Sequence, residues 1–177
     1  LAAGGPVMSR VAIVPPGRVS GITLLADPDL LARPLDVSFA DPGEAVAAEV
    51  TLEGRRVTVL ALHPPSPTSG DRAARRDAVL AGAAGWVRET GGPVVVVGDL
   101  NSTPWSPAYQ DLWLKGGLVD SARGAGLQPT WPDGWGPAMI PIDHALHTPD
   151  LGTVERRTGP SFGSAHRPLL VTVAFAG

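Results

Sequence analysis

The chain has 177 residues, 44% of them hydrophobic, which is enough for one domain with a sizeable core and too apolar for disorder. It has no cysteine, so disulfides and thiolate metal sites are excluded. Its formal net charge of −3 argues against tight electrostatic binding of duplex nucleic acid and leaves only a local basic groove open to one.

Taken in order, Val11-Ala-Ile-Val14 is a short strand candidate stopped by Pro15, Pro16 and Gly17, and residues 21–25 form a second. Residues 27–34 read as a turn-rich connection, residues 37–39 as another strand, and Asp41-Pro-Gly43 as a turn. Residues 45–63 carry the clearest hairpin. Val46, Ala48, Val50 and Leu52 alternate with neighbours of the other face, Glu53-Gly54 turns, and Val57, Val59 and Ala61 alternate again. The returning strand must end at His63, because Pro64 and Pro65 cannot donate to a ladder.

Residues 71–90 have helical spacing, with Ser69 or Asp71 as cap and Gly91-Gly92 as stop. Ala73, Arg76, Leu80, Ala83 and Val87 share one face. The cluster Arg72, Arg75 and Arg76 reads as a solvated face balanced by Asp71 and Asp77, with phosphate binding as the minority reading. Val94 to Val97 are four consecutive valines, a central strand buried on both faces, which would pair in parallel with the His63 strand through this helix. At its end stand Asp99 and Asn101, either a functional carboxylate and carboxamide or, equally, a local Asx turn.

Ser106-Pro107 opens a short helix that Gly116-Gly117 closes, with Tyr109, Leu112 and Trp113 facing the core. Residues 124–141 are loop, and Trp131 and Trp135 in it are expected to pack locally rather than wall a substrate. Residues 142–146 form a strand carrying Asp143 and His144, residues 161–167 a loop holding His166, and residues 168–175 a terminal core strand.

His63, Asp99 with Asn101, Asp143 and His166 therefore gather at strand ends or in adjoining loops. Such a set suits attack of water on a phosphorus ester. Imidazoles and a carboxamide donate to the charged phosphoryl oxygens, one carboxylate handles the water, and another orients an imidazole. By alternation His144 should point away from Asp143, and His147 should be peripheral.

Gly98-Asp-Leu-Asn101, Ile142-Asp-His144 and Gly163-Ser-Ala-His-Arg-Pro168 stand in an order that resembles the endonuclease/exonuclease/phosphatase superfamily, whose fold is that of deoxyribonuclease I. The strand ending in His63 is similar to that family's strand ending in a catalytic histidine. The resemblance implies an α/β fold, a β-sandwich flanked by helices, here the C-terminal part of the domain and truncated at its N-terminal portion. It implies a metal-dependent hydrolase of phosphate esters, a phosphodiesterase or nuclease, using Mg²⁺ or Mn²⁺ in the complete domain. Carried over by position, His63 donates to the phosphoryl group, Asp99 activates water, Asn101 holds a phosphate oxygen, Asp143 orients a histidine, and His166 is the acid/base or stabilising histidine.

Two departures from the family pattern set further expectations. Ala165 stands where the family has a metal-site aspartate, and the family's early Asn and Gln-Glu elements are not found before Gly21. The expectation is that no divalent ion binds tightly here, with Asp99 and Asn101 the nearest metal candidates. The alternative function is a catalytically inactive phosphate-binding or interaction domain. Missing strands should leave a sheet edge open to a second copy of the chain. No run is apolar enough to span a bilayer, and the location stays open between a membrane-tethered, outward-facing parent and a cytoplasmic one.

Overall fold

A computed structural model of the protein describes residues 11–13, 21–41 and 43–177. The elements run β1 (Val11–Ile13), β2 (Leu24–Ala26), β3 (Arg33–Leu35), β4 (Ala45–Leu52), β5 (Arg55–Leu62), α1 (Gly70–Thr90), β6 (Val94–Asp99), α2 (Pro107–Gly116), β7 (Val119–Asp120), β8 (Asp143–His147), β9 (Leu151–Thr158) and β10 (Leu169–Phe175). A six-stranded sheet has the order β3-β4-β5-β6-β8-β7, and β1 with β2 and β9 with β10 form two antiparallel ribbons. The Val14 end of the first expected strand and Pro42 lie outside the described residues.

The β4–β5 hairpin forms because the alternation on both strands agrees with a two-residue turn. Glu53 and Gly54 both take positive φ there, and Leu52 pairs with Arg55. From β5 the chain crosses over through α1 and returns as β6, which pairs with β5 in parallel. The Ser69 hydroxyl caps α1 by accepting the Arg72 N–H at 3.3 Å, and the Gly91 N–H bonds the Val87 carbonyl at its end. Leu80, Ala83, Ala84 and Val87 of α1, with Tyr109 and Leu112 of α2, cover one face of the sheet over Leu60, Leu62, Val94 and Val96. Each fully buried Leu or Val side chain contributes roughly 1.5–3 kcal/mol.

The opposite face carries the ribbons. Ile22 and Leu24 pack on Val46, Ala48 and Ala61, while Leu151 and Phe175 pack near Val50 and Val57. The result is the expected α/β architecture of stacked β layers flanked by helices.

Four expectations change. The β6 valines are fully buried only on the helix side, at Val94 and Val96; Val95 and Val97 face the more open side and are partly covered. The strand expected at residues 37–39 lies instead at Arg33–Leu35, on the sheet edge where Pro34 is tolerated. Phe39 packs against Gly82 and Trp86. The strand expected at residues 21–25 begins only at Leu24. Finally, β10 is not a core strand. It alternates half-buried and exposed along an outer ribbon with β9, an element whose charged Glu155, Arg156 and Arg157 hid its pattern.

Candidate active site

The sheet itself assembles the cleft. Since β5 and β6 are parallel, with Ala61 opposite Val97, both strands finish at one edge and present His63 and Asp99 there. The His63 N–H bonds the Glu44 carbonyl at 2.8 Å, and Pro64 prevents further pairing. β8 runs antiparallel to β6 with Asp143 opposite Asp99, so β8 begins where β6 ends. Gly98 brings the two site strands close, at φ +141°, with the carbonyl carbon of Leu62 3.0 Å from where a Cβ would sit. His166 arrives from the loop before β10. That loop is strapped to residues 128–141 by Asp133 N–H to Ala165 O (2.8 Å), Arg167 N–H to Thr130 O (2.8 Å) and Arg167 Nε–H to Asp133 Oδ1 (2.7 Å).

All five residues singled out by sequence meet here. The His166 Nδ1–H donates to Asp143 Oδ2 at 2.9 Å, which leaves Nε2 facing Asp99 Oδ2 at 3.9 Å. His63 Nε2 lies 3.8 Å from the same oxygen. Asn101 takes φ +48°; its N–H bonds Asp99 Oδ1 at 2.8 Å, and its Nδ2–H bonds the Pro64 carbonyl at 3.0 Å. The Asx turn and the convergent cleft thus coexist. Burial pushes the Asp99 carboxyl above the usual carboxylate range, and the neighbouring Asp143 charge adds to this. The Asn101 N–H, His166 and His63 oppose it.

Ligand atoms of Asp99, Asp143 and His166 lie within 4.8 Å of one another, the grouping among the described residues that fits a cation. It contains Asp99, one of the two residues expected nearest a metal. Two facing carboxylates, one held above its usual pKa, form a donor set whose repulsion a divalent cation would relieve. Ala165 offers no side-chain ligand. Asp133, strapped beside it, is engaged by Arg167 rather than turned to the cleft.

His144 points away, as alternation requires. It is 2% exposed, stacks on Tyr109 at 4.3 Å between ring centres, and donates from Nε2 to the Ser102 carbonyl at 2.8 Å. It therefore braces the loop after Asn101 from behind. His147 is remote from the cleft but not peripheral to the fold. It is buried, donates from Nδ1 to Thr148 O, and accepts from the Thr153 hydroxyl at Nε2.

Burial pushes the His144 imidazole below its usual 6.5; the Ser102 carbonyl and Asp120 oppose this, and Arg156 assists it. With its folded pKa depressed, the unfolded chain takes up the proton first as pH falls. The stability His144 lends is therefore complete above about pH 6.5 and declines as pH drops below that value. Thermal melts between about pH 5 and 8 should show this decline in the wild type and a flatter profile in His144→Phe. Parallel profiles in the two proteins would show that this histidine does not contribute.

A cavity of about 770 Å³ opens from this edge, and His63, Asp99, Asn101 and His166 are in its lining. Trp131 lines it too, its ring centre 6.4 Å from that of His166, and Trp135 is 67% exposed, so neither is packed into a local core as expected. Sequence reasoning also misjudged Arg76. Its side chain is folded inward, and Nη1–H donates to the Asn101 carbonyl at 3.1 Å. The signal was present, since Arg76 shares the α1 face of Leu80, Ala83 and Val87.

The model of the endonuclease/exonuclease/phosphatase family matches residues 3–166. The chain belongs to this family. An endonuclease/exonuclease/phosphatase from Bacteroides vulgatus is similar in structure, with TM-score 0.68 and 18% identity over 95% of this chain and 76% of that one. A mannosyl-6-phosphatase of Bacteroides thetaiotaomicron gives TM-score 0.59 and 17% identity over 74% and 57% of the two chains. The human Nocturnin catalytic domain with bound sulfate gives 0.59 and 17% over 75% and 53%. At these identities the likeness concerns the fold. The chain spans little more than half the length of the latter two. No curated protein matches by sequence. Among the described residues no helix is long and apolar enough to cross a membrane.

Proposed function

We propose that this family member hydrolyses phosphate esters, as a phosphodiesterase or nuclease, by in-line attack of water. The observation that carries the reading is the convergence of Asp99, Asp143, His166 and His63, supplied by separate parts of the chain, on one edge of the sheet. Asp99 orients the attacking water and takes its proton, a role suited to a carboxylate held above its usual pKa. Asp143 fixes the His166 tautomer, so Nε2 is aimed into the cleft to donate to a phosphoryl oxygen or the leaving group. His63 and the second amide N–H of Asn101 donate to the other phosphoryl oxygens. The Asp99 and Asp143 carboxylates would hold Mg²⁺ or Mn²⁺ beside His166, and the ion when bound would supply charge neutralisation at the phosphoryl group.

The test is hydrolysis of bis(p-nitrophenyl) phosphate by the purified whole protein, with Mg²⁺ or Mn²⁺ against EDTA. Metal-dependent turnover is expected. Folded protein that turns over neither this diester nor a monoester would sink the hydrolase. Ala165, lacking the carboxylate of the family pattern, is the specific feature favouring the second reading, a phosphate-binding domain without turnover.

A further inference from the structure

The cavity lining includes cationic side chains that hydrolysis of a simple diester does not use. Besides His63, Asp99, Asn101 and His166 it is lined by Arg72 and Arg76, and by the hydroxyl-bearing Ser66, Thr68, Thr103 and Ser106. The two arginines are four residues apart on α1 and so share a face. Arg75, between them, is engaged elsewhere. It pairs with Glu44 through Nε at 3.1 Å and through Nη2, and with Asp41 at 2.9 Å. Glu44 also lines the cavity, and this pairing neutralises the negative charge it would otherwise bring.

Both guanidinium groups are anchored by only part of their donor set. Arg72 donates from Nε to the Ser66 carbonyl at 2.9 Å, and among the described residues its four terminal N–H groups take no protein acceptor. Arg76 is 14% exposed. It uses Nε and one Nη2–H on Asp77 and one Nη1–H on Asn101, which among the described residues leaves one N–H on each terminal nitrogen. The backbone of the lining is stiffened by Pro64, Pro65 and Pro67. Donors held in place before binding lose little freedom on taking a ligand. Planar guanidinium forks match phosphate oxygens two at a time. Arg76 also rests on the carbonyl of Asn101, the residue whose amide is assigned to the reacting phosphoryl group.

We propose that the Arg72–Arg76 pair is a second anion subsite, so that the substrate is a phosphate ester carrying a second phosphate, a diphosphate or a bisphosphate. This rests on the hydrolase reading for the word substrate, but not for the binding itself. The experiment is calorimetric titration of the whole protein with inorganic phosphate and with pyrophosphate, in EDTA. Pyrophosphate should bind about tenfold tighter or more, as charge-assisted hydrogen bonds to a second phosphate imply. That advantage should shrink in Arg72→Gln and fall below about threefold in the Arg72→Gln/Arg76→Gln double variant.

Equal affinities in the wild type, or an advantage undiminished in Arg72→Gln, would overturn the proposal. Arg72 is exposed, so this single variant decides the matter even where the double variant fails to fold. Bis(p-nitrophenyl) phosphate turnover in the same preparation separates the two readings. Turnover without a pyrophosphate advantage removes the subsite and leaves the hydrolase, and the advantage without turnover removes the hydrolase and leaves the subsite. Binding of neither anion removes the subsite outright.

Discussion

Phosphodiester hydrolysis should fall by about 10² or more in His166→Ala, and by a similar factor in Asp99→Asn, with the fold retained in both. Retention follows from where the side chains lie. His166 sits on a loop whose straps run through the backbone of Ala165 and Arg167, not through the imidazole. Asp99→Asn removes a buried charge that faces Asp143, so its melting temperature should equal or exceed that of the wild type. Asp143→Asn probes the link between the two. Asp143 acts in part through His166 across 2.9 Å, so that part of the cost of its loss should vanish once His166 is gone. The double variant His166→Ala/Asp143→Asn should therefore lose less than the product of the two single losses, the non-additivity of residues that work as a unit. The check is turnover with Mn²⁺ or Mg²⁺ for all four variants beside their thermal melts. Wild-type rates in His166→Ala or Asp99→Asn would end the assignment of roles, and strictly multiplicative losses in the double variant would separate Asp143 from His166.

The parts of this cleft that could be read from the sequence are those where one local rule decides the outcome. Proline after His63 ends a strand whatever surrounds it, and Gly98 followed by Asp99 ends another. Once helix α1 is recognised between them, the parallel crossover puts both ends on the same edge. Asp143 follows from a short apolar strand whose antiparallel partner the register then supplies.

What escaped depends on partners distant in sequence. Pro34 argues against a strand until an edge position is known, because only there is its missing donor harmless. The β9 strand buries Leu151 and Arg156, an arginine that donates to the Ser121 hydroxyl and to the Gln128 side chain, so hydrophobic alternation could not reveal it. Arg76 looked like part of a charged surface because its acceptor, the Asn101 carbonyl, is 25 residues away. The direction in which Trp131 faces depends on the strapping of two loops, through Asp133 and Arg167, that no local pattern encodes.

Gly98→Ala should be the most damaging single substitution in the sheet, although it adds one methyl group. Gly98 holds φ +141°, a conformation that residues with a side chain rarely adopt. A Cβ there would fall on the Leu62 carbonyl oxygen, with the carbonyl carbon at 3.0 Å and the amide nitrogen at 3.1 Å. These are backbone atoms of the neighbouring strand, so no side-chain rotation relieves the overlap. The strands must separate or the peptide must turn, and strain of this kind in a packed sheet costs about 3 kcal/mol or more. For a chain of this size that lowers the melting temperature by roughly 10 °C. The damage also reaches the chemistry. Leu62 precedes His63 and Gly98 precedes Asp99, so any separation widens the 3.8 Å gap between His63 Nε2 and Asp99 Oδ2. Variant protein that still folds should therefore lose turnover as well as stability, whereas Gly54→Ala, in an open turn with nothing near its Cβ, should lose stability alone. A Gly98→Ala protein melting within about 2 °C of the wild type, with undiminished turnover, would show that the close approach of β5 and β6 at this point does not hold the two site residues together.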